Sequence, residues 1–450
     1  MKRSVVGDAS LMLMLMLMLM MTVMMSLCLH TADAQRQGQP ALVHVIIPGG
    51  RRRPRTVCYT LDKARGRPEP ATFFPRDIDP SLCTHLILAF AWLHRSGLFL
   101  LPPPRNNTTL SQRFQHVNNA YIYRGITSLK RRRPGLKVML AVGGWDIGSE
   151  PFMKLVRSQF TMQLFAWGSI NYLHYHRLDG LDVDWEYPAH RGSTPPDRRR
   201  FTRLLQTLRR EFELDQARTG RRRLLLSAAI TAMPSVASKA YQLPRIARHV
   251  DFLNVMTYDL HWPSEEIVGH HSALYPQEDD ETDSVDYLVQ WVLTSGVPRY
   301  KVNLGLPFYG HCQQLNDSDN TAPGAPASGP APGGHVCQLL TGRVPGSPRP
   351  EVHRLPESSA PYMVDMNNTR WTAYDDETSI REKVNQLNKI IQTECKSIPG
   401  STPLSVSYAM KERLGGVFVW TVDMDDFRGK CGGRTFPLLR AIRRQFYTAS

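Results

Sequence analysis

Eight apolar segments rich in β-branched residues recur along the chain, and stretches with helical periodicity separate them. Short apolar strands that alternate with helices are typical of a parallel sheet closed into a barrel and covered by helices. The pattern therefore predicts the α/β class and a (β/α)8 TIM barrel. The predicted strands are TVCYTL (56–61), THLILAFAWL (84–93), KVMLAVGG (137–144), LDGLDVDWE (178–186), LLLSAAIT (224–231), VDFLNVMTYD (250–259), KVNLGLPFYG (301–310) and GGVFVWTVD (415–423).

The interval between the seventh and eighth predicted strands is about three times longer than the others, so it must hold more than one crossover. Residues 321–334 are rich in Pro, Gly and Ala and are predicted to be a loop, whereas a helical pattern begins at Ser379. We predict a small inserted subdomain over residues 311–375, with one long disordered loop as the alternative. Cysteines and aromatic residues within the interval favour the ordered form: Cys312, Cys337, Tyr362, Trp371 and Tyr374.

The N-terminus has the pattern of a secretory signal peptide. Lys2 and Arg3 precede an apolar run from Leu11 to Leu29, and Ala32-Asp33-Ala34 supplies a cleavage sequence, so we predict residues 1–34 to be removed. An uncleaved anchor is the alternative, because the run could almost span a bilayer. Residues 35–54 are predicted to be a basic flexible leader and residues 55–446 the barrel. We expect a secreted, extracellular monomer with no membrane segment after cleavage.

The chain of 450 residues carries 55 Lys and Arg against 40 Asp and Glu, a net charge of +15. A basic excess of this size first suggests a polyanionic partner. We predict contact with a heparin-like polyanion through arginine clusters, and no nucleic-acid partner; a solvated basic surface is the alternative. Two clusters directly precede the third and fifth strands, at the end of the barrel opposite the usual position of active sites. The clusters are Arg51–Arg53, Arg131–Arg133, Arg198–Arg200 and Arg221–Arg223.

Seven cysteines are present, of which Cys28 lies in the predicted signal peptide. The other six can form up to three disulfides in an oxidising compartment. No CxxC pair and no Cys/His cluster at zinc spacing occurs, so neither a metal nor a cofactor is predicted. N-glycosylation sequences occur at Asn106, Asn107, Asn316 and Asn367.

The fourth predicted strand departs from the apolar pattern, because DGLDVDWEYP (179–188) carries acidic residues at alternate positions. Asp182, Asp184 and Glu186 should point to one face, towards the barrel interior, and the apolar residues between them to the helices. Carboxylates this close repel one another, so at least one pKa should be raised, as a general acid requires. Glu186 stands at the carboxyl end of the strand, where barrel enzymes carry catalytic groups. Asp179 has the opposite parity and is expected to be structural; an edge strand with a solvated acidic face is the alternative.

These segments resemble the glycoside hydrolase family 18 chitinases. DGLDVDWEYP is similar to the family pattern D-x-x-D-x-D-x-E at all four acidic positions, and the likeness runs from VCYTL at 57 to FPLLRAI at 436. The resemblance implies that the inserted subdomain is of the α+β type. Nothing after Phe436 resembles a cysteine-rich chitin-binding module. The other matching motifs are LKVMLAVGGW (136–145), NVMTYD (254–259), GLPFYG (305–310), GAPASGP (324–330), WTAYDDETSI (371–380) and GGVFVWTVDMDDFRG (415–429).

The resemblance implies hydrolysis of β-1,4 bonds in chitin or chitooligosaccharides by an endochitinase-type, retaining mechanism in which the substrate supplies the nucleophile. Glu186 would be the general acid and base, and Asp184 would orient the acetamido N–H of the sugar. Asp182 would share a proton with Asp184, and Tyr258 would donate a hydrogen bond to the acetamido oxygen. The resemblance further implies that seven other residues of the pocket would bind substrate: Tyr59, Phe90, Trp145, Asp146, Met256, Asp259 and Trp420.

Two of these residues have particular expectations. Trp420 would form the floor of the −1 subsite, because a flat aromatic face fits the apolar face of a sugar. Asp146 replaces the Asn that is usual in the family, which alters polarity on the +1 side. Taken from spacing alone, the aromatic residues would be expected in the core.

The resemblance also implies disulfides between Cys58 and Cys83 and between Cys337 and Cys431, which leaves Cys312 and Cys395 as a third pair. The alternative function is a catalytically silent chitin-binding lectin of the same fold. Silent relatives usually lose the acid or the Asp before it, whereas this chain keeps Glu186 and Asp184. Because fold alone does not determine function, both hypotheses stand at this point.

Overall fold

The computed structural model describes residues 54–94, 96–97, 100–101, 120–276, 282–331, 336–337, 351–355, 360–365, 369–385, 414–430 and 433–448. Eight parallel strands form a closed barrel, in which each strand pairs with two neighbours and the first strand of the chain pairs with both the second and the last. All eight predicted strands are therefore confirmed, as is the (β/α)8 architecture. The barrel strands are β1 (Arg55–Leu61), β2 (His85–Leu93), β4 (Lys137–Gly143), β5 (Gly180–Asp184), β6 (Leu225–Thr231), β7 (Phe252–Met256), β8 (Val302–Pro307) and β15 (Gly416–Trp420). Their order around the barrel is β1-β15-β8-β7-β6-β5-β4-β2.

Helices cover the outside of the barrel. The longest described one, Asp197–Thr219, buries Phe201, Leu204, Leu205, Leu208 and Phe212, which recur at helical spacing along one face. Burial of each such side chain is worth about 1.5–3 kcal/mol relative to exposure. The described α-helices are Ala120–Ser128, Glu150–Leu155, Gln159–Tyr175, Asp197–Thr219, Pro234–Ala240, Leu243–His249, Val285–Thr294 and Pro437–Thr448, with residues 377–385 helical as well.

Local signals in the sequence explain where helices begin and end. The Ser158 hydroxyl accepts a hydrogen bond from the Thr161 N–H at 3.1 Å, and the Ser284 hydroxyl does the same for the Tyr287 N–H at 3.2 Å. Each satisfies a backbone donor that the first helical turn leaves free. Gly220 follows the longest helix with a φ of 68°, a left-handed conformation that favours glycine.

A second, antiparallel sheet occupies the interval between β8 and β15, in agreement with an inserted subdomain. Its core contains Trp371, which is fully buried and stacks on Tyr362 with ring centroids 5.0 Å apart. The limits 311–375 stay a prediction. The strands outside the barrel are β3 (Leu100–Leu101), which pairs with β2, and β9 (Gly310–Leu315), β10 (Ala327–Pro330), β11 (Val336–Cys337), β12 (Glu351–Arg354), β13 (Pro361–Asp365) and β14 (Arg370–Ala373).

The prediction that residues 321–334 are entirely loop was wrong, because β10 lies within them. Its residues alternate between buried and exposed positions, the period of a half-buried strand. β10 is the edge strand of its sheet and pairs with β9, so Pro330 can lie in it without leaving a neighbouring strand unpaired. The Pro and Gly content concealed this strand.

The predicted disulfide between Cys58 and Cys83 is confirmed, with Cα atoms 6.0 Å apart. Cys312 is also disulfide-bonded. The other predicted pairs involve Cys395 and Cys431, which lie outside the described residues, so these pairs stay predictions.

Several other predictions concern parts of the chain that the structure does not describe: the signal peptide, the leader and the acceptor sites Asn106, Asn107 and Asn367. Asn316 is exposed, as a glycan acceptor must be, but its glycosylation stays a prediction. Among the described residues, no helix is both long and apolar enough to cross a membrane.

Candidate active site

A cleft of about 840 Å³ opens where the barrel strands end. Side chains at the carboxyl ends of parallel strands meet at one end of a barrel, so residues far apart in sequence share its walls. Of the eleven catalytic and substrate-binding residues expected from the sequence, all but Asp182 line this cleft: Tyr59, Phe90, Trp145, Asp146, Asp184, Glu186, Met256, Tyr258, Asp259 and Trp420.

Asp182 lies deepest in the acidic row and is fully buried in β5. Its two carboxylate oxygens accept hydrogen bonds from the Tyr59 hydroxyl at 2.6 Å and the Ser227 hydroxyl at 2.5 Å. Burial raises the pKa of Asp182 to about 6, although these two hydrogen bonds oppose the shift. Asp182 therefore joins β5 to β1 and β6 beneath the cleft.

A chain of polar side chains continues from Tyr59 across the barrel interior. The Asn254 amide donates to the Tyr59 hydroxyl at 2.7 Å, and the Asn303 amide donates to the Asn254 oxygen at 2.9 Å. Arg55 completes the chain by donating to the Asn303 oxygen at 3.0 Å. The sequence analysis did not identify Ser227, Asn254 or Asn303, because only the strand register across the barrel brings them to these partners.

Asp184 lies one step above Asp182 and is 3% exposed. Its Oδ1 atom has no hydrogen-bond partner among the described residues. Burial and then the charge of Glu186 raise the pKa of Asp184 well above its usual value. A buried polar atom without a partner is costly, so this oxygen is available to a ligand that can donate to it.

Glu186 follows β5 at the cleft wall. Burial raises its pKa to about 7, while a hydrogen bond with Tyr187 and the charge of Arg191 oppose the shift. The expected rise of at least one pKa in the row is confirmed, but burial is the largest cause for all three carboxyl groups, and repulsion within the row adds to the shift of Asp184. The apolar face also lies as predicted, since Trp185 is fully buried and stacks on Phe152 at 5.1 Å.

The floor of the cleft is aromatic. Trp420, the last residue of β15, has its ring centroid 5.3 Å from that of Tyr59 and 5.6 Å from that of Phe90. Tyr258 follows β7 and packs on Phe418 at 5.9 Å. A flat apolar surface bordered by carboxyl and hydroxyl groups is suited to a sugar ring.

Two tryptophans stand at the rim. Trp145 and Trp262 are 48% and 45% exposed, and their ring centroids lie 6.0 Å apart. The Arg191 guanidinium stacks on Trp145 at 3.6 Å. Asp146 is beside them with a carboxylate oxygen 3.8 Å from Lys63. Trp262 and Arg191 were missed because neither lies in a strand motif.

The wall near Asp259 contains two histidines that the sequence analysis also missed. Asp259 Oδ1 accepts a hydrogen bond from the Tyr309 hydroxyl at 2.6 Å and lies 3.1 Å from His311 Nε2 and 3.7 Å from His271 Nδ1. Burial alone would raise the pKa of Asp259, but the neighbouring imidazoles hold it well below its usual value. These residues lie on three separate segments, so spacing carried no signal of the cluster.

The sequence model of the family described as Glycosyl hydrolases family 18 matches residues 55–394, which is most of the chain. The chain belongs to glycosyl hydrolase family 18. Among family 18 relatives, chitotriosidase-1 of Mus musculus is 34% identical over 398 residues, covering 87% of this chain and 78% of the relative. Chitinase-3-like protein 2 of Homo sapiens is 31% identical over 433 residues, covering 92% and 98%.

Solved family 18 structures agree with the fold. Ostrinia furnacalis Group IV chitinase in complex with allosamidin has a TM-score of 0.73 at 29% identity and covers 88% of this chain and 100% of its own. Human YKL-39, described as a pseudo-chitinase with retained chitooligosaccharide binding properties, has a TM-score of 0.71 at 31% identity, with coverage of 88% and 100%. Family 18 thus includes hydrolases and a pseudo-chitinase, and the individual site residues must distinguish them.

Proposed function

We propose that this family 18 protein is a secreted, endo-acting chitinase that hydrolyses β-1,4 bonds of chitin or chitooligosaccharides with retention of configuration. The observation that carries the proposal is Glu186, whose pKa is raised to about 7 at the cleft wall. A carboxyl group with that pKa holds a proton at mildly acidic pH and can transfer it to a leaving oxygen.

The first step is protonation of the glycosidic oxygen by Glu186. The acetamido oxygen of the −1 sugar attacks its own anomeric carbon, so the bond to the leaving sugar breaks and a cyclic oxazolinium intermediate forms. Asp184, with its unpartnered Oδ1, accepts a hydrogen bond from the acetamido N–H and stabilises the positive charge that develops there. Glu186, now ionised, takes a proton from water, which opens the intermediate on the face that the leaving group occupied.

Other cleft residues position the sugar. Tyr258 donates to the acetamido oxygen, and Asp182 shares a proton with Asp184 while Tyr59 and Ser227 hold it in place. Trp420 is the floor of the −1 subsite. The remaining substrate-binding assignments are Phe90, Met256 and Asp259 around that subsite and Trp145 and Asp146 at the rim.

Glu186→Gln tests this assignment, because glutamine keeps the shape of the side chain and cannot transfer the proton. We expect kcat on a fluorogenic chitotriose substrate to fall by about 10²–10⁴-fold, the usual contribution of a general acid and base. Binding of unlabelled chitooligosaccharide, measured by calorimetry, should persist. The matched control is Glu213→Gln, the same chemical change at an exposed position on the longest helix, which should leave kcat unchanged.

The alternative is a catalytically silent lectin, since a relative of similar fold is described as a pseudo-chitinase. Absence of turnover by the wild-type protein from about pH 3 to about pH 8, with chitooligosaccharide binding intact, would establish the lectin function instead. Analysis of the products from chitohexaose would then separate endo from exo cleavage in an active protein. Secretion is supported by the N-terminal signal pattern and by the Cys58–Cys83 disulfide, which suits an oxidising compartment.

A further inference from the structure

The cluster formed by Asp259, His271 and His311 has the composition of a metal centre. One ligand atom from each residue lies within 4.8 Å of the other two. The His271 and His311 rings stack with centroids 4.3 Å apart, and each presents a nitrogen to the same oxygen of Asp259. Two imidazoles and one carboxylate are a recurrent ligand set for zinc.

The hydrogen bonds around His311 orient its free nitrogen towards Asp259. His311 Nδ1 lies 2.9 Å from the carbonyl oxygen of His261, which can only accept, so Nδ1 carries the proton. In the neutral ring, Nε2 then has a lone pair that faces a carboxylate oxygen at 3.1 Å. Two acceptors at this distance require a cation between them, either a proton or a metal ion.

His271 supplies the second, independent observation. It is fully buried, and neither of its ring nitrogens has a hydrogen-bond partner among the described residues. Buried imidazoles normally find a partner, because an unpaired buried polar group is destabilising. With no bond to fix its tautomer, His271 can carry its proton on Nε2 and present the Nδ1 lone pair to the cluster. A proton between Asp259 and His311 would leave His271 unsatisfied, whereas a metal ion would satisfy both rings.

We propose that Asp259, His271 and His311 bind a divalent transition-metal ion, of which Zn²⁺ is the best fit. Tetrahedral zinc with metal–ligand bonds of 2.0–2.2 Å places its ligand atoms about 3.3–3.6 Å apart. The distances from Asp259 Oδ1 to the two nitrogens, 3.1 and 3.7 Å, lie on either side of that range. The fourth position is left for water or a ligand from the cleft, which Asp259 lines.

The surrounding contacts are those that support a metal centre. Ligating histidines usually donate their other N–H to a carbonyl or carboxylate, as His311 does to His261, and ligating carboxylates are themselves hydrogen-bonded, as Asp259 is by Tyr309. Imidazole ligands favour Zn²⁺ over Mg²⁺ and Ca²⁺, which prefer oxygen. The proposal goes beyond the proposed hydrolase function and applies equally to a silent lectin.

Zinc titration of the full protein after chelator treatment tests the proposal without reference to activity. Calorimetry should show one saturable high-affinity site that an excess of Mg²⁺ does not occupy, and Co²⁺ should give the visible absorption of a tetrahedral centre. His271→Asn and His311→Asn should each weaken zinc binding by more than the roughly 10–100-fold that follows loss of an outer-shell partner.

His353→Asn is the matched control. His353 Nε2 also lies near a carboxylate, 3.6 Å from Glu351. In the described part of the chain, no second imidazole joins this pair to form a three-ligand cluster. This variant should bind zinc like the wild type. Thermal unfolding of each metal-free variant checks its folding. Absence of a saturable site in the wild type, or equal affinity in the control and in either folded cluster variant, would overturn the proposal.

Discussion

Carboxylates occur at both ends of the barrel, but their partners differ. At the end where the strands begin, Asp179 lies 2.6 Å from the Lys130 ammonium, and it also accepts a hydrogen bond from backbone. Asp251 precedes β7 at the same end and lies 2.9 Å from Arg209 and 2.7 Å from Arg223. Each negative charge there is balanced by a neighbouring cation.

At the end where the strands finish, two carboxylates of the acidic row lack such a partner within the described ranges. Neither Asp184 nor Glu186 forms a salt bridge with any described residue, and burial raises both pKa values. Both ends are built from the same strands, so the architecture alone does not produce the difference. Paired carboxylates join elements of the fold, whereas unpaired buried carboxylates reduce stability and keep protons available for transfer. Substitutions at the two ends should therefore change stability in opposite directions, and only those at the cleft end should lower activity.

Among substitutions that test the contrast between the two ends, the largest effect is expected for Asp184→Asn at the cleft end. Loss of one preorganised charged group should lower kcat by about 10²–10³-fold. The folded state should become more stable at neutral pH by about 1–3 kcal/mol, because an unsatisfied buried carboxylate is removed. Kinetics on a chitotriose substrate and urea unfolding at several pH values measure the two effects.

The pH dependence of that stability gain has a defined sign. Because the pKa of Asp184 is raised in the folded protein, the wild-type carboxyl group favours folding fully below its unfolded-state pKa and loses this contribution as pH rises through the folded pKa. Asparagine does not ionise, so the gain should be small near pH 4 and grow towards neutrality. Asp319→Asn, at an exposed position, is the control. A gain that is constant across this pH range would contradict the raised pKa.

The sequence predicted which side chains line the cleft better than it predicted the residues that hold those side chains in place. Alternation in β5 was sufficient to place Asp182 and Asp184 on the interior face, because strand periodicity determines the face directly. The partners Ser227 and Asn254 depend on register between strands far apart in sequence, which periodicity does not report. The His271–His311 pair was missed because His271 lies in a turn and His311 in β9, two segments whose spacing in the sequence gives no signal of their contact. Strand β10 was missed because Pro and Gly, which normally disrupt strands, are tolerated at a sheet edge.

An opposite effect on stability, without an effect on kcat, is expected for Asp251→Asn at the other end. Asp251 accepts hydrogen bonds from Arg209, Arg223 and the Leu226 N–H, so its neutralisation weakens three contacts. We expect a loss of about 2–3 kcal/mol in the free energy of unfolding, typical of hydrogen bonds to charged groups. The kcat of the folded protein should stay unchanged, because the substitution is remote from the cleft. Urea unfolding and active-site-normalised kinetics measure this. A large fall in kcat with unchanged stability would break the contrast between the ends.

The smallest effect concerns the basic surface at the strand-start end. In the cluster before the third barrel strand, Arg133 donates hydrogen bonds to the Pro80, Ser81 and Cys83 carbonyl oxygens. In the cluster before the fifth barrel strand, Arg223 pairs with Asp251. Each of these two clusters therefore uses one arginine to stabilise the fold. Arg131 and Arg132 are exposed and form no ion pair with the described residues.

These two exposed arginines are the part of the cluster that can meet a heparin-like polyanion. For Arg131→Gln/Arg132→Gln, we expect the slope of log retention on heparin against log salt to fall by about two, since each polyanion contact releases about one counterion. Arg203→Gln/Arg210→Gln removes the same charge from exposed positions of the longest helix outside the arginine clusters and should change the slope less. Saturation with chitooligosaccharide should leave retention unaltered, because the sugar occupies the opposite end of the barrel. Equal slopes for the two double variants would mean that net charge alone, rather than this surface, holds the protein on heparin.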